Sequence, residues 1–322
     1  MPKVFAIGEA LIDFIPGEKG VALKEVSTFH KQLGGAPANV ACAIAKLGGK
    51  SAFIGKLAAD PFGEFIATSL QQVGVDTSYI SWTDQAKTML AFVSLKIDGD
   101  RDFSFYRNPS ADLLLAEEEI RTDWFTRGDV LHFCSVSLIE APVKYAHKKA
   151  ITSIKERGGI ISFDPNVRLP LWEKSEECRQ TILQFIPMSD IIKISEEELP
   201  FITGIIDKER ALQSLFTGDV KIILYTKGAK GAELHTKDFR LKVSGVKVKT
   251  IDTTGAGDAF VGGFLYKVFI AGKGLSDLTQ EKALAALEFA NKFAAISTTR
   301  EGAVNSFSTL AEINAFKGEA VQ

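Results

Sequence analysis

A short glycine-rich loop that carries one carboxylate is the stretch best suited to chemistry. Residues 252–258 read Asp-Thr-Thr-Gly-Ala-Gly-Asp, and apolar residues at helical spacing follow them. This pattern predicts a buried helix that begins close to Gly257. Gly255 and Gly257 allow a tight turn that presents backbone N–H groups at the helix N-terminus, where an anion is stabilised. Gly255, Ala256 and Gly257 could hold transition-state charge while Asp258 accepts a hydroxyl proton, which is the combination that phosphoryl transfer needs.

Asp258 also has a simpler interpretation, because an acid in the first turn stabilises a helix by about a few tenths of a kcal/mol. Three further polar clusters favour the chemical interpretation. They follow predicted strands at 164–168 (Asp-Pro-Asn-Val-Arg), 195–198 (Ser-Glu-Glu-Glu) and 226–228 (Thr-Lys-Gly). The carboxyl ends of parallel strands share one edge of a sheet, where the ligands of open α/β folds bind. We therefore expect the loop and the three clusters to form one active-site edge.

The N-terminal part of the chain offers further groups for a ligand. Residues 3–8 predict a buried strand that continues to a polar end at Asp13. Asp13 could contact a ligand hydroxyl there, or it could be a solvated strand end, and its position leaves both interpretations open. Gly34 and Gly35 precede an alanine-rich helix and would let the backbone approach a small molecule closely. Asn39 offers such a molecule both a donor and an acceptor.

A β-hairpin is predicted in the first third of the chain. Two β-rich runs, 88–97 and 101–106, flank the turn sequence Asp98-Gly99-Asp100. Phe103 and Phe105 alternate with polar residues in the second run, as expected for a strand with one buried face. A hairpin inserted into an α/β chain is a candidate lid or a candidate dimer edge.

The elements that must position these residues alternate between strand and helix. Predicted strands at 130–134, 160–164, 191–194 and 222–226 alternate with predicted helices at 142–157, 176–185 and 196–201. This alternation is typical of an α/β fold with a mostly parallel sheet. The chain has 322 residues and no visible linker, repeat or low-complexity tract, so we expect one large domain.

Composition argues against several classes of function. Hydrophobic residues make up 46% and charged residues 24% of the chain, as in ordinary soluble proteins. A formal charge of −2 with scattered basic residues argues against nucleic acid or an anionic membrane as the main partner. The three cysteines and four histidines are dispersed, which argues against disulfides and a zinc site. No targeting or membrane-spanning stretch is visible, and we expect a cytoplasmic protein.

Longer motifs carry a resemblance to a known family. Residues 34–41 (Gly-Gly-Ala-Pro-Ala-Asn-Val-Ala) and 55–63 (Gly-Lys-Leu-Ala-Ala-Asp-Pro-Phe-Gly) resemble the first signature of the PfkB, or ribokinase-like, carbohydrate kinases. Residues 252–264 resemble the second signature, and residues 163–172 are most similar to the fructokinase group of that family. The resemblance implies a single kinase domain over 1–322 with a three-layer α/β/α fold. It also implies a small β lid formed from about 13–33 and 87–107.

The resemblance further implies functions for individual residues. Asp258 would be the base for a sugar hydroxyl, with the amides of Gly255 to Asp258 as an anion hole. The residues expected in or near the sugar pocket are Asp13, Gly34, Gly35, Asn39, Arg107, Asp164 and Arg168. Those expected to hold ATP are Lys193, Ser195, Thr226, Lys227, Gly228, Gly231 and Asn291. Glu198 would organise Mg²⁺ through water, and a monovalent-cation loop, with K⁺ as the candidate ion, would comprise Asp252, Thr254, Ser297, Arg300, Gly302 and Ser306.

Two details of this implied site depend on simple chemistry. The family often has Asn-x-x-Glu where this chain has Ser195 and Glu198, and the shorter reach of serine argues against direct phosphate contact from Ser195. A loose phosphoryl-transfer transition state needs only late deprotonation of the nucleophile. A carboxylate with an ordinary pKa near ~4 can therefore serve as the base.

The expected activity is ATP-dependent phosphorylation of D-fructose at its 6-hydroxyl, with a sugar and ATP as the small-molecule partners. A 2-keto-3-deoxygluconate kinase is the alternative within the enzymes, and Arg168 or Arg107 would then supply the cation for the acid substrate. A sugar-binding relative without catalysis is the alternative from another class, and the intact Asp258 and loop glycines argue against it. The residues leave open whether the lid hairpin also forms a homodimer.

Overall fold

The computed structural model describes residues 2–18, 20–95, 101–107 and 109–316, and two β-sheets organise this part of the chain. The described strands are Val4–Ile7 (β1), Leu11–Pro16 (β2), Phe29–Gly34 (β3), Ser51–Ala58 (β4), Ile80–Thr83 (β5), Leu90–Leu95 (β6), Arg101–Tyr106 (β7), Val130–Cys134 (β8), Ile160–Asp164 (β9), Ile191–Ser195 (β10), Ile222–Thr226 (β11), Ala232–His235 (β12) and Arg240–Val243 (β13). The described α-helices are Ala36–Lys46 (α1), Pro61–Val73 (α2), Pro142–Glu156 (α3), Ser175–Phe185 (α4), Glu198–Thr203 (α5), Lys208–Ser214 (α6), Ala256–Leu265 (α7), Gln280–Ser297 (α8) and Leu310–Ala315 (α9).

The larger sheet has the strand order β13-β12-β11-β10-β9-β8-β1-β4-β5. Its strands pair in parallel except at the β11–β12–β13 end, where the pairing is antiparallel. Strand β8 is buried along its whole length, as expected for a parallel strand that is covered on both faces. The register aligns Ser195 with Thr226 and Phe163 with Ile192, so the polar ends of β9, β10 and β11 reach one edge of the sheet.

Helices cover both faces of this sheet. Alternate side chains of β1 show the division, because Phe5 and Ile7 belong to one hydrophobic cluster while Val4 and Ala6 belong to two others. The cluster with Phe5 includes apolar residues of α3, α4, α5 and α6, and the other two include residues of α1, α2, α7 and α8. The three-layer α/β/α fold with a mostly parallel sheet is therefore confirmed.

The smaller sheet has the order β3-β2-β6-β7. The prediction that the first strand continues to Asp13 is wrong, because the chain turns at Gly8, where φ is +144°, and β2 belongs to the smaller sheet. Strands β6 and β7 pair antiparallel, as the hairpin pattern predicts, while the turn 98–100 lies outside the described residues. The four strands fall mainly in the two segments expected to form a lid. That the smaller sheet works as a lid stays a prediction.

Hydrogen bonds to the Asp60 carboxylate connect the smaller sheet to the rest of the domain. It caps α2 by accepting the Phe62 and Gly63 N–H groups through Oδ1 at 3.0 and 2.9 Å. The same carboxylate accepts the Thr88 hydroxyl at 2.7 Å and the Thr88 N–H at 3.0 Å, just before β6 begins. This one motif residue thus links the start of α2 to the segment just before β6.

Several elements were not predicted, among them α6, β12 and β13. Strand β13 is short and exposed at two of its four residues, so no buried alternating face indicates it. Within the described ranges, no helix is long and apolar enough to cross a membrane.

Candidate active site

The Gly255–Asp258 loop opens α7 with a backbone that requires glycine at its first position. Gly255 has a φ of +74°, and a Cβ atom there would lie 2.7 Å from the Ala303 Cβ. Helix α7 then begins at Ala256, directly after this glycine. The Ala256 N–H donates to the Thr253 carbonyl at 3.2 Å, so it is the least available of the loop amides to an anion. The remaining geometry is that of a helix N-terminus, which stabilises negative charge.

Asp258 is buried in the first turn of α7 and is held by Asn39. The Asn39 Nδ2 donates to Asp258 Oδ2 at 2.9 Å. The other side-chain atom, Asn39 Oδ1, is buried and has no hydrogen-bond partner among the described residues. It is therefore an acceptor that a bound hydroxyl could satisfy.

The pKa of Asp258 differs from the ordinary value expected from the sequence. Burial raises it to about 7, and the negative charge of Asp164 adds to this rise while Asn39 and Lys193 oppose it. This value lies above the ordinary pKa near ~4 because removal from water disfavours the charged form of a carboxyl group. A base with a pKa close to neutral is better matched to proton transfer at neutral pH.

Beside the loop, Lys193 lies between the buried carboxylate of Asp164 and the partly buried carboxylate of Glu198. Its Nζ is 3.1 Å from Asp164 Oδ2 and 3.9 Å from Glu198 Oε2. A Cβ atom on Gly257 would be 3.6 Å from the same Nζ, so the ammonium faces the loop. Burial alone would lower the pKa of Lys193, but Asp164 and Glu198 raise it above its usual value. Burial raises the pKa of Asp164 to about 6, against the effect of Lys193.

A cavity of about 580 Å³ opens above Asp258, and we call it the acidic cavity. Its described acidic residues outnumber the basic ones: Glu9, Asp13, Asp164, Glu197, Glu198 and Asp258 against Arg168 and Lys193. The other predicted site residues in its wall are Gly35, Asn39, Ser195, Thr254, Gly255 and Gly257. Gly34 lies beside this wall, and a Cβ atom on it would come within 2.2 Å of Asp13 Oδ2. The absence of a side chain at Gly34 therefore leaves room for the Asp13 carboxylate.

A second cavity of about 380 Å³ lies on the other side of the loop, and we call it the glycine-lined cavity. The predicted residues in its wall are Lys193, Thr226, Gly228, Gly231, Ala256, Gly257 and Asn291. Lys227 is not in the wall, and its Nζ pairs with Glu233 Oε1 at 2.7 Å. Lys193, Thr253 and Gly257 line both cavities and mark where they meet.

The two arginines expected near the sugar differ in their surroundings. Arg168 is exposed and lines the acidic cavity, with Nη1 donating to the Val167 carbonyl at 3.0 Å. Arg107 is buried outside the wall, where it pairs with Asp112 at 2.6 Å and donates to the Val136 carbonyl at 2.8 Å. Of the two, Arg168 is the cation that faces the cavity.

Ser195 and Glu198 cap one another at the start of α5. Glu198 Oε2 accepts the Ser195 N–H at 2.9 Å, and the Glu198 N–H donates to Ser195 Oγ at 3.2 Å. Glu198 Oε1 accepts the Val167 N–H at 2.8 Å, which ties the 164–168 loop to this helix. These bonds lower the pKa of Glu198 together with Lys193, although burial alone would raise it.

The residues of the expected cation loop lie around Asp252. Asp252 Oδ1 accepts the Thr254 N–H at 2.8 Å, and Oδ2 accepts the Gly302 N–H at 2.8 Å. Ser297 and Ser306 are buried, and their hydroxyls donate to the carbonyls of Ala294 and Ala303. Arg300 instead points to the surface, where it pairs with Glu312 at 2.8 Å.

Sequence reasoning missed Glu9 in the wall of the acidic cavity. Glu9 Oε2 accepts the Ser137 hydroxyl at 2.8 Å, and Oε1 accepts the Ala36 N–H at 3.3 Å. The signal that identified Asp164, a polar residue directly after a buried strand, also applies to Glu9. It was hidden because residues 3–13 were treated as one continuous strand.

Comparison with known proteins identifies the family of this chain and agrees with its fold. The model for the pfkB family of carbohydrate kinases matches residues 1–310. The chain therefore belongs to the PfkB family of carbohydrate kinases. It is 46% identical over 312 residues to the probable fructokinase-5 of Arabidopsis thaliana, with 97% of this chain and 96% of that protein covered. It is 44% identical over 311 residues to the fructokinase-1 of Zea mays, with 96% of each covered.

Solved structures give the same result. The crystal structure of fructokinase from Vibrio cholerae O395 with fructose, ADP and a calcium ion superposes with a TM-score of 0.90 at 39% identity, covering 98% of this chain and 99% of that one. The Xylella fastidiosa fructokinase with bound ATP gives a TM-score of 0.88 at 35% identity, covering 97% of each chain. These comparisons confirm the predicted family, the ribokinase-like fold and the predicted enzyme class, a fructokinase. The functions of the individual site residues stay predictions.

Proposed function

We propose that this protein transfers the γ-phosphoryl group of ATP to the 6-hydroxyl of D-fructose, with Asp258 as the base. The observation that carries the proposal is the meeting of the two cavities at the Gly255–Asp258 loop, where they share Lys193, Thr253 and Gly257. A sugar in the acidic cavity and a nucleotide in the glycine-lined cavity would face each other across this junction. In support, the Vibrio cholerae relative binds fructose and ADP together.

The residues at the junction divide the chemistry between them. Asp258 accepts the proton of the 6-hydroxyl as the oxygen bonds to phosphorus, and a pKa raised to about 7 by burial makes it a stronger base than an ordinary aspartate. Asn39 holds that carboxylate in place through the bond of 2.9 Å to Oδ2. The loop amides and the Lys193 ammonium stabilise negative charge on the phosphoryl oxygens and on the ADP that leaves.

Glu198 suits a Mg²⁺ ion that is contacted through water. Both of its carboxylate oxygens already accept backbone N–H groups, from Val167 at 2.8 Å and Ser195 at 2.9 Å. A carboxylate engaged in this way can still orient water molecules in the outer shell of a metal. When bound with ATP, Mg²⁺ neutralises the charge that develops on the phosphate oxygens.

The loop around Asp252 suits a monovalent cation such as K⁺. Asp252 crosslinks the loop through the Thr254 and Gly302 N–H groups, both at 2.8 Å, and thereby orients the segment that leads into Gly255. A double mutant of the Vibrio cholerae fructokinase has been crystallised with fructose, ADP and a potassium ion. By analogy, a cation here would order the anion hole without touching the sugar.

The charge of the acidic cavity favours fructose over 2-keto-3-deoxygluconate. A sugar acid needs a cation for its carboxylate, whereas the hydroxyls of a neutral sugar are good donors to the six acidic residues in this wall. Arg107 already pairs with Asp112 at 2.6 Å and Lys193 with Asp164 at 3.1 Å, which leaves Arg168 as the cation that could face a substrate carboxylate. We therefore assign fructose as the substrate.

The smaller sheet would act as a lid over the sugar. Leu11 and Asp13 on β2 and Phe105 on β7 line the acidic cavity, so this sheet forms part of its wall. Closing such a sheet over the sugar would exclude water that otherwise hydrolyses ATP.

A coupled assay of ADP release tests the proposal directly. D-fructose, D-tagatose, D-ribose and 2-keto-3-deoxygluconate are compared at saturating MgATP, with and without K⁺, and the product of fructose is identified by mass spectrometry and NMR. We expect the highest kcat/KM for D-fructose and phosphorylation at carbon 6. A higher kcat/KM for the sugar acid, or transfer to another hydroxyl, would overturn the assignment while leaving the fold and family unchanged.

A further inference from the structure

Strand β3 of the smaller sheet carries a side chain on the same face as Asp13. Gln32 lies directly opposite Asp13 in the antiparallel pairing of β2 with β3. Residues that are directly opposite in such a pair project from the same face of the sheet. Asp13 lines the acidic cavity, so Gln32 lies on the face that the smaller sheet turns toward the substrate side.

The Gln32 side chain lies against the backbone of Gly302. A Cβ atom on Gly302 would be 1.9 Å from Gln32 Oε1 and 2.9 Å from its Cδ, and the φ of Gly302 is +79°. The absence of a side chain at Gly302 therefore leaves room for the carboxamide. Leu33, the next residue of β3, belongs to the same hydrophobic cluster as Ala303 and Phe307, so the strand and this segment share one core.

Gly302 is in turn bonded to the aspartate that orders the loop before α7. The Gly302 N–H donates to Asp252 Oδ2 at 2.8 Å, while Asp252 Oδ1 accepts the N–H and the hydroxyl of Thr254 at 2.8 and 2.7 Å. Ala303 packs against the loop directly, since a Cβ atom on Gly255 would lie 2.7 Å from the Ala303 Cβ. Gly302 and Ala303 thus support the loop through hydrogen bonds and through a packing contact.

These contacts form a continuous path from the sugar side to the amides that would receive the phosphoryl group. We propose that Gln32 is a positioning residue, which holds Gly302 against Asp252 and so couples the smaller sheet to the loop that opens α7. Segments packed at this density cannot shift independently, so a sugar that orders β2 through Asp13 also orders the loop. The inference rests on the proposed function, because it assigns Gln32 to the same transfer reaction.

Hydrogen–deuterium exchange of the full-length protein tests the coupling without turnover. In wild type, saturating D-fructose should slow exchange of the Gly302 and Thr254 amides by about threefold or more, because a restrained segment opens less often. In Gln32→Ala the contact is removed, and fructose should no longer slow exchange of the Gly302 amide. Fragmentation mass spectrometry resolves the single amides, and calorimetry on the same samples measures how much fructose is bound.

Steady-state kinetics give a second readout. Gln32→Ala should lower kcat by about tenfold, less than the ~10²–10³ for losing a transition-state donor outright, because the amides remain but are less well placed. KM for fructose should stay within about threefold of wild type, since Gln32 is not in the wall of the acidic cavity. Gln32→Met keeps the length of the side chain and should keep kcat within about threefold of wild type, because the contact is one of packing.

Lys31→Ala is the matched control. Lys31 precedes Gln32 in β3 and projects from the other face, where its Nζ lies 4.2 Å from the centre of the Phe65 ring of α2. It therefore also joins the smaller sheet to the rest of the domain, but through α2 and not through Gly302. Lys31→Ala should leave both kcat and the protection of Gly302 by fructose unchanged.

The outcomes separate this inference from the proposed function. If wild type does not bind fructose, the proposed function is contradicted, and this inference with it. If wild type binds fructose but Gly302 is not protected, or is protected equally in Gln32→Ala, the inference is overturned and the proposed function stands. A Gln32→Met variant as slow as Gln32→Ala, or a Lys31→Ala variant with the same losses, would also overturn the inference.

Discussion

The acidic cavity and the glycine-lined cavity lie on opposite sides of one loop but are built from different chemical groups. The acidic cavity is walled by charged side chains, and the elements that supply them are far apart in sequence. Asn39 and Asp258, for example, are 219 residues apart and are joined by a bond of 2.9 Å. The glycine-lined cavity has a wall rich in glycine, alanine and valine, and much of it comes from the β11–β12 connection and from α8.

From this difference we expect the acidic cavity to carry the selectivity for the sugar. In the glycine-lined cavity, the turn at Gly228 is closed by local backbone bonds, including Lys227 N–H to the Gly231 carbonyl at 2.9 Å. Such a wall needs only small residues and permits close approach of a ligand. In the acidic cavity, burial and neighbouring charges together set the pKa values of Asp164 and Asp258. Substitutions on the two sides should therefore have separable effects on the sugar and on the nucleotide.

The largest expected effect is at Asp258, on the acidic side of the junction. Asp258→Asn should keep the fold and the affinity for ATP but lower kcat by about a thousandfold, because general base catalysis contributes ~10²–10⁴. Single-turnover kinetics of the purified variant measure the rate of phosphoryl transfer and the affinity for ATP. A thermal melt checks that the variant is folded. Activity within tenfold of wild type in folded protein would remove Asp258 from the mechanism.

A substitution of Lys193 tests the junction between the two cavities, because this residue lines both of them. Lys193→Met should lower kcat by about a hundredfold, the scale for losing one group that stabilises transition-state charge. It should also disturb KM for both substrates, since Asp164 loses the ammonium at 3.1 Å. Lys56→Met is the matched control, because Lys56 is 13% exposed and pairs with Glu119, whereas Lys193 is 11% exposed. Equal kinetics in the two variants would contradict a special position for Lys193.

The pH dependence of activity tests whether burial raises the pKa of Asp258, the proposed base. With the pKa of Asp258 raised to about 7, kcat/KM for fructose should fall roughly tenfold per pH unit well below that value. The raised pKa means that the native state binds this proton more tightly than the unfolded state. Its contribution to stability is full below pH 3.8 and is lost as the pH rises through about 7. Asp258→Asn should therefore be more stable than wild type at pH 8, and urea unfolding at pH 5 and pH 8 checks this.

Substitutions at two glycines, one beside each cavity, test whether the two cavities bind different substrates. In Gly34→Ala the new Cβ would meet Asp13 Oδ2 at 2.2 Å and displace that carboxylate. We expect KM for fructose to rise roughly tenfold, the scale of one hydrogen bond to a charged group, with KM for ATP unchanged. Gly228→Ala has open space around its Cβ, although its φ of +54° strains the backbone, and it should affect ATP and not fructose. The same change of KM in both variants would contradict separate recognition.

Arg168→Gln should have a small effect, comparable with that of Gly34→Ala and below those at Asp258 and Lys193. The side chain is exposed at the mouth of the acidic cavity, and for a neutral sugar it can supply one charge-assisted hydrogen bond. Fructose binding should weaken by about 1–2 kcal/mol, measured by calorimetry. A loss of about 2–5 kcal/mol would instead indicate that the natural substrate carries a carboxylate.

Patterns that are local in the chain could be read from the sequence. The bounds of β8, β9, β11 and α4 lie within about a residue of those predicted, because hydrophobic periodicity acts over short distances. The polar clusters after β9, β10 and β11 were also visible. Parallel strands bring their carboxyl ends to one edge in any such sheet, so that arrangement follows from the fold class alone.

Other properties depended on elements that meet only in the folded chain. The break at Gly8 sends β2 into the smaller sheet, and no local pattern distinguishes it from a longer first strand. The pKa of Asp258 follows from its burial and from the nearby charge of Asp164. Whether Arg107 faces a substrate or pairs with Asp112 is likewise decided by packing. The sequence by itself thus determined which residues could do chemistry and on which edge they lie. The tertiary structure decided their protonation, partners and exposure, because desolvation and charge interactions depend on distances through space and not on spacing along the chain.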